Sequence, residues 1–161
     1  MNTQKIARAL IVLVILVSNI SCDQISKVVV RQHIGYHERI GLLNNYLTLT
    51  KVENTGAFLS LGDSLPGVVK IFILMALPVM AMAFGLFYLL TRPHVSRMML
   101  IGFSFAIGGG IGNIFDRIAY GSVTDFLHID FVLFQTGIFN MADVSIMTGM
   151  CIVLVHSIMK R

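Results

Sequence analysis

VVKIFILMALPVMAMAFGLFYLL, residues Val68–Leu90, decides the fold class. Its one charge, Lys70, stands at its start, and the rest supplies the roughly 20 apolar residues that a bilayer-crossing helix needs. Three more apolar segments lie around it, at about Ile6–Ser21, Met98–Phe115 and Asn140–Met159. The chain of 161 residues is 56% hydrophobic and only 12% charged. Soluble domains carry about 25% charged residues. With a mean hydropathy of +0.83, the expectation is a membrane all-α protein, a four-helix transmembrane bundle forming a single domain over residues 1–161. A pI near 9.3 would suit nucleic acid. The basic residues sit at segment ends rather than on a patch, so no nucleic-acid partner is expected.

Charge sets the orientation. Lys5 and Arg8 precede the first segment, Arg92 and Arg97 lie between the second and third, and Lys160 and Arg161 follow the fourth. No acid shares their side: every Asp and Glu falls within 23–63 or 116–143. Positive-inside logic puts both termini and the 91–97 turn in the cytoplasm, with 22–67 and 116–139 outside. Arg31, Arg39, Lys51 and Lys70 fall outside as well, so the asymmetry of the acids carries as much of this as the bases do. The N-terminus imitates a secretory signal, and Asn19-Ile-Ser-Cys22 loosely imitates a lipoprotein cleavage box. Asn19 stands where an aliphatic belongs, and an even number of spans fits the charges, so a retained helix is expected.

The outer loop, about 31–67, is too long for a bare connector. Leu47-Thr48-Leu49-Thr50 alternates with strand period, and Gly35, Gly41, Asn44-Asn45 and Gly56 supply turns. A small β-rich extracytoplasmic subdomain follows, with Ser122–Phe134 extended or mixed, and Leu42–Phe58 is a candidate flap over a bound peptide. Pro78 should kink the second span. In the third, Gly102, Ala106 and Gly110, and separately Gly108 and Gly112, follow helical spacing. Tight helix packing explains them; room for a substrate helix is the second reading. Cys22 and Cys151 read as small buried hydrophobes rather than a disulfide.

Polar residues collect at the outer ends of all four spans: Asp23 and Lys27, four apart; Asn54 before the second; Asn113, Asp116 and Arg117; Asn140 and Asp143. One such pair is an ordinary interfacial ion pair, which is the plainer reading of Asp23–Lys27 alone. Four converging groups suggest a site. Asp125 and Asp143 stand among apolar residues, and brought together they would share a proton and run acid/base chemistry on water. The histidines (His33, His37, His94, His128, His156) are scattered, so no metal site is expected. No nucleophile–base pairing appears on one side. A proton-coupled transporter would place acids near mid-bilayer, and these crowd one side. A non-catalytic membrane scaffold would tolerate Asp125→Asn and Asp143→Asn.

Asn54-Thr-Gly-Ala-Phe58, Gly109-Gly-Ile-Gly-Asn113-Ile-Phe-Asp116-Arg117, Gly121-Ser-Val-Thr-Asp125-Phe126 and Phe139-Asn-Met-Ala-Asp143, in this order, closely resemble lipoprotein signal peptidase, the signal peptidase II family. Asp23 and Lys27 fit the same pattern, and the likeness runs over essentially the whole chain. Loop lengths depart from it, as does Thr124, where an aliphatic is expected. The resemblance implies an aspartic endopeptidase of the bacterial cytoplasmic (inner) membrane, multi-pass, with its active site toward the outer face. It would remove signal peptides from diacylglyceryl-modified prolipoproteins by cutting before the lipidated cysteine. Asp125 and Asp143 would be the catalytic dyad. Asp23, Lys27, Asn54, Gly56, Asn113, Arg117 and Asn140 would bind substrate or support the site. Its expected partners are these substrates and membrane lipid; no metal or organic cofactor is needed, and a monomer is favoured.

Overall fold

The computed structural model describes residues 3–36, 38–57, 62, 64–92, 94–131 and 134–160. Helix α1 spans Thr3–His33. A hairpin of β1 (Arg39–Leu42) and β2 (Leu47–Asn54) follows. Helices α2 (Gly67–Thr91) and α3 (Arg97–Tyr120) come next. Strand β3 (Val123–Ile129) and helix α4 (Met141–Met159) complete the order. All four helices are long and apolar enough to cross a membrane. The expected four-helix bundle with a small sheet is what forms.

The largest departure is α1. Its 31 residues run twelve beyond Ser21, the expected end of the span. Charges after Cys22 broke the apolar run, yet Asp23, Lys27 and Arg31 recur every four residues and form one stripe along the helix. That stripe faces partners on α3 and β3, so helix continuation satisfies the charges. The same logic carries α3 past Phe115 to Tyr120, with Asp116 fully buried. Ser96 caps its start by accepting from the Met99 N–H. Gly121, at φ +76°, ends it in the left-handed conformation that glycine adopts without strain. In α2, Phe72–Ala76 forms a π-helical turn in which the Leu77 N–H donates to Phe72 O. The widened turn directly precedes Pro78, which has no N–H to give and crowds the carbonyl four residues back.

The bundle is apolar outside and polar within, as a lipid-solvated protein should be. Val68, Phe84 and Phe87 are exposed, while Asp23, Lys27, Asp116 and Asn140 are fully buried. Helix α3 runs through the middle. A methyl group on Gly109 would strike Ala142 O of α4, one on Gly108 would press Asn19 of α1, and one on Gly110 would meet Met82 of α2. Gly102 and Gly149 face each other across α3 and α4. The glycines of this row are therefore consumed by packing against the chain's own helices, whereas Ala106 lines an open apolar groove between α2, α3 and α4. Asn19, the odd residue of the cleavage-box imitation, accepts from Ser145 Oγ at 2.6 Å and ties α1 to α4. Cys22 and Cys151 are free and exposed on separate helices rather than buried.

One end of the bundle gathers the early part of α1, the turn before α3 and the end of α4. Arg8 donates to Val95 O at 2.9 Å and to Arg92 O at 3.1 Å, and Ser96 Oγ meets His156 Nε2 at 2.9 Å. The opposite end carries the sheet, antiparallel in the order β1-β2-β3. Its register includes Gly41 opposite Thr48 and Thr48 opposite His128, with a bulge between Leu49 and Val52. Phe126, with Leu49 and Leu127 beside it, packs on Val30 and Ile34 at the end of α1. The free side of β3 is bridged by Phe139, whose N–H donates to Leu127 O and whose carbonyl accepts from Phe126 and Leu127. That bridge delivers the chain into α4 beside the strand that holds Asp125. His33 is exposed, and His37 lies outside the described residues.

Candidate active site

Asn140 is the residue on which the site turns. It is the N-cap of α4: its Oδ1 accepts from the Asp143 N–H at 3.0 Å, and its own N–H donates to Asp143 Oδ2 at 3.2 Å. This reciprocal capping box satisfies two free N–H groups at the helix start. It also fixes the Asp143 carboxylate at a helix N-terminus, where negative charge is favoured. The amide end of the same Asn140 donates to Asp125 Oδ1 at 2.6 Å. One fully buried side chain thus grips both aspartates.

The remaining partners come from three other elements. Asn54, closing β2, donates to Asp125 Oδ2 at 3.0 Å while its Oδ1 accepts from the Gly56 N–H at 2.9 Å. Asn113 of α3 donates to Asp143 Oδ1 at 2.9 Å. Arg117, one turn on, donates through Nη2 to Gly56 O at 2.8 Å and so pins the 54–57 turn over the site. Asn54, Asn113, Arg117, Asp125, Asn140 and Asp143 line one cavity of about 470 Å³, whose other walls are apolar and include Leu74, Pro78, Ile138 and Met147. Gly56 joins it through Arg117.

Asp125 is 4% exposed. Burial pushes its carboxyl up to about 6; the Asn54 and Asn140 hydrogen bonds oppose this, and the negative charge of Asp143 adds to it. A carboxyl whose proton is held more tightly than usual beside another carboxylate, in a cavity with apolar walls, is equipped for general acid/base work on a polar bond.

Asp23 and Lys27 stand behind this cavity rather than in it. Lys27 Nζ lies 2.8 Å from Asp23 Oδ2 and 3.0 Å from Asp116 Oδ2, with all three side chains fully buried. It also donates to Asn113 Oδ1 at 3.0 Å. Asp23 Oδ1 accepts the Ala142 N–H at 2.9 Å, at the start of α4. The ion pair is thus no modest interfacial one: it is the buried joint between α1, α3 and α4, and it holds the residue that holds Asp143.

Sequence reasoning missed a second polar network on the other side of β3. Arg31 Nη2 lies 3.0 Å from Asp116 Oδ1, and Arg31 Nε donates to Thr124 Oγ1 at 2.8 Å. The Thr124 hydroxyl donates to Glu53 Oε1 at 2.9 Å, and Ser122 donates to Glu53 Oε2 at 2.6 Å. Gln24 bridges Asp23 and Asp116. Two signals were in the chain: the four-residue spacing through Arg31, and Thr124 itself, a polar residue where an aliphatic was expected.

Comparison with known proteins agrees over most of the chain. Residues 11–159 match the family model described as signal peptidase (SPase) II. The lipoprotein signal peptidase of Gloeobacter violaceus is 35% identical over 142 residues, covering 86% of this chain and 76% of that protein. The one from Syntrophus aciditrophicus is 29% identical over 139 residues, covering 86% of each. A bacterial membrane enzyme structure, determined by the in meso method at 2.3 Å, superposes with a TM-score of 0.81 at 21% identity, covering 91% of this chain and 87% of that one; it supports the fold alone. On the family match and these relatives together, the chain belongs to the signal peptidase II family of membrane proteases.

Proposed function

We propose that Asp125 and Asp143 are the catalytic dyad of this multi-pass membrane protease, and that it cuts diacylglyceryl-modified prolipoproteins before the lipidated cysteine. The observation that carries the dyad is Asn140, which holds both carboxylates at one cavity wall, Asp125 through its side-chain amide and Asp143 through its backbone N–H. Asp125, raised to about 6, carries the shared proton; Asp143, at a helix N-terminus, is the base. Asp143 draws a proton from water as the oxygen adds to the scissile carbonyl. Asp125 gives its proton to the carbonyl oxygen. The tetrahedral intermediate collapses by breaking the C–N bond: one of its two hydroxyl protons returns to Asp125 as the C=O re-forms, and the cysteine nitrogen leaves with the proton that Asp143 holds. Asn54, Asn113 and Arg117 orient the dyad and the 54–57 turn, and Asp23 and Lys27 hold Asn113 in register.

The surroundings suit an amphiphilic substrate. Inward from Pro78 and Met147, the same helices border an apolar groove of about 540 Å³ lined by Ala81, Met82, Gly85 and Met150. Acyl chains or a signal helix arriving laterally from lipid would lie there. The clustered bases Arg8, Arg92 and Lys160 favour a cytoplasmic face at that end, which turns the dyad and sheet outward from a bacterial cytoplasmic membrane. The four spans and the sheet then act as one peptidase domain, with a monomer as the working unit.

The test is mass spectrometry of products from a precursor with and without the diacylglyceryl group. A new N-terminal lipidated cysteine, formed only from the modified precursor, is expected. Cleavage elsewhere, or equal cleavage of both, overturns the substrate assignment.

A further inference from the structure

We infer that the hollow on the sheet beside Thr48 and His128 is a binding groove for the polypeptide on the mature side of the scissile bond. This rests on the peptidase reading above. A hollow of about 360 Å³ is lined by Arg39, Thr48, Thr50, His128 and Asp130, and by Ile138. Ile138 also lines the cavity of the dyad. The two hollows therefore meet at one residue, apolar on the dyad side and polar beyond it. A chain cut at the outer membrane edge needs this sequence of environments: its lipid-side portion is apolar, and the portion after the cysteine enters water.

The groove suits an extended, polar, uncharged segment. Thr48 and Thr50 offer hydroxyls that donate and accept, and Arg39 and Asp130 place one charge of each sign on its lining. His128 also lines the hollow, and its Nδ1 has no hydrogen-bond partner among the described residues. Distance sets the register. His128 and Asp130 lie three and five residues beyond Asp125 on the chain, about 10 and 17 Å at strand rise. An extended peptide covers that span with its third to fifth residues after the cut. Among the described residues, a second hollow at the start of α2 also borders the dyad cavity, at Leu74 and Arg117, where Gly56 O holds Arg117 at 2.8 Å; cross-linking separates the two.

The experiment compares diacylglyceryl peptides that stop one residue after the cysteine with peptides extended to five polar residues. The enzymes are wild type, Thr48→Val, His128→Leu and Arg39→Gln, each checked for its circular-dichroism melt. Wild type should favour the longer peptide in kcat/KM, and each variant should shrink that preference by about fivefold per lost hydrogen bond. A benzophenone residue placed fourth after the cysteine should cross-link to β2 or β3. A length preference that is absent, or unchanged in all three variants, overturns the groove while leaving the peptidase reading intact. Cross-links to the start of α2 do the same. If wild type cuts neither peptide, the peptidase reading falls and the groove with it.

Discussion

Lys27→Met removes one ammonium and keeps most of the side-chain volume, so it isolates the worth of the buried joint. Wild-type Lys27 Nζ has three acceptors within 3.0 Å: Asp23, Asp116 and Asn113. None of the three charged side chains is exposed. Without Lys27, Asp116 keeps Arg31 at 3.0 Å, but among the described residues Asp23 keeps Gln24 and the Ala142 N–H, neither of them charged. Breaking a buried pair by removing one partner costs about 3–5 kcal/mol, because a charge is left desolvated. The Arg31 contact argues for the lower end, about 3 kcal/mol. At about 2–4 °C per kcal/mol for a chain of this size, the melting temperature should fall by roughly 6–12 °C. Circular dichroism at a helical wavelength in detergent reads it. If the cost is desolvation, adding Asp23→Asn to Lys27→Met should recover most of the loss, because Asp116 keeps its Arg31 partner. A drop under about 2 °C, or no recovery in the double variant, refutes the reasoning.

Three other outcomes follow from the same geometry. Thr124→Val keeps the shape but strips the hydroxyl between Arg31 and Glu53; it should cost about 1–3 kcal/mol in thermal stability and lower kcat, and Thr124→Ser should restore both. If Asp125 must hold a proton, kcat/KM should fall as pH rises through about 6, because a carboxyl raised to that value is protonated below it and ionised above it; a profile that rises through that region reverses the assigned roles. Gly109→Ala drives a methyl into Ala142 O and should cost about 1–3 kcal/mol by overpacking, seen as a lower melting temperature, whereas an unchanged melt would mean that α3 and α4 have room to separate.

Much of this was legible because the bilayer simplifies the reading. Apolar length located four spans, and the asymmetry of the acids located the end where polar groups meet. Asn54, Asn113, Asp125, Asn140 and Asp143 do meet there, in one hydrogen-bonded cluster. Leu47–Thr50 predicted a strand, and β2 contains it. What hydropathy could not show was helix beyond the apolar run: residues 22–33 and 116–120 are helical because their charges find partners across the bundle, a tertiary fact. The roles of Arg31, Asp116 and Thr124 were hidden for the same reason. An ion pair four residues apart looks identical in sequence whether it faces water or is sealed between helices, and only the packing of α3 and α4 against Asp23 and Lys27 tells these apart. The glycines of α3 carried two readings until their neighbours were known.

The most direct test of the central claim is turnover of a diacylglyceryl-modified prolipoprotein by wild type, Asp125→Asn and Asp143→Asn, each purified and shown to be folded. The account predicts that wild type releases the signal peptide while both variants bind the precursor and leave it uncut. Near-normal turnover by either variant would make that aspartate structural and contradict the dyad.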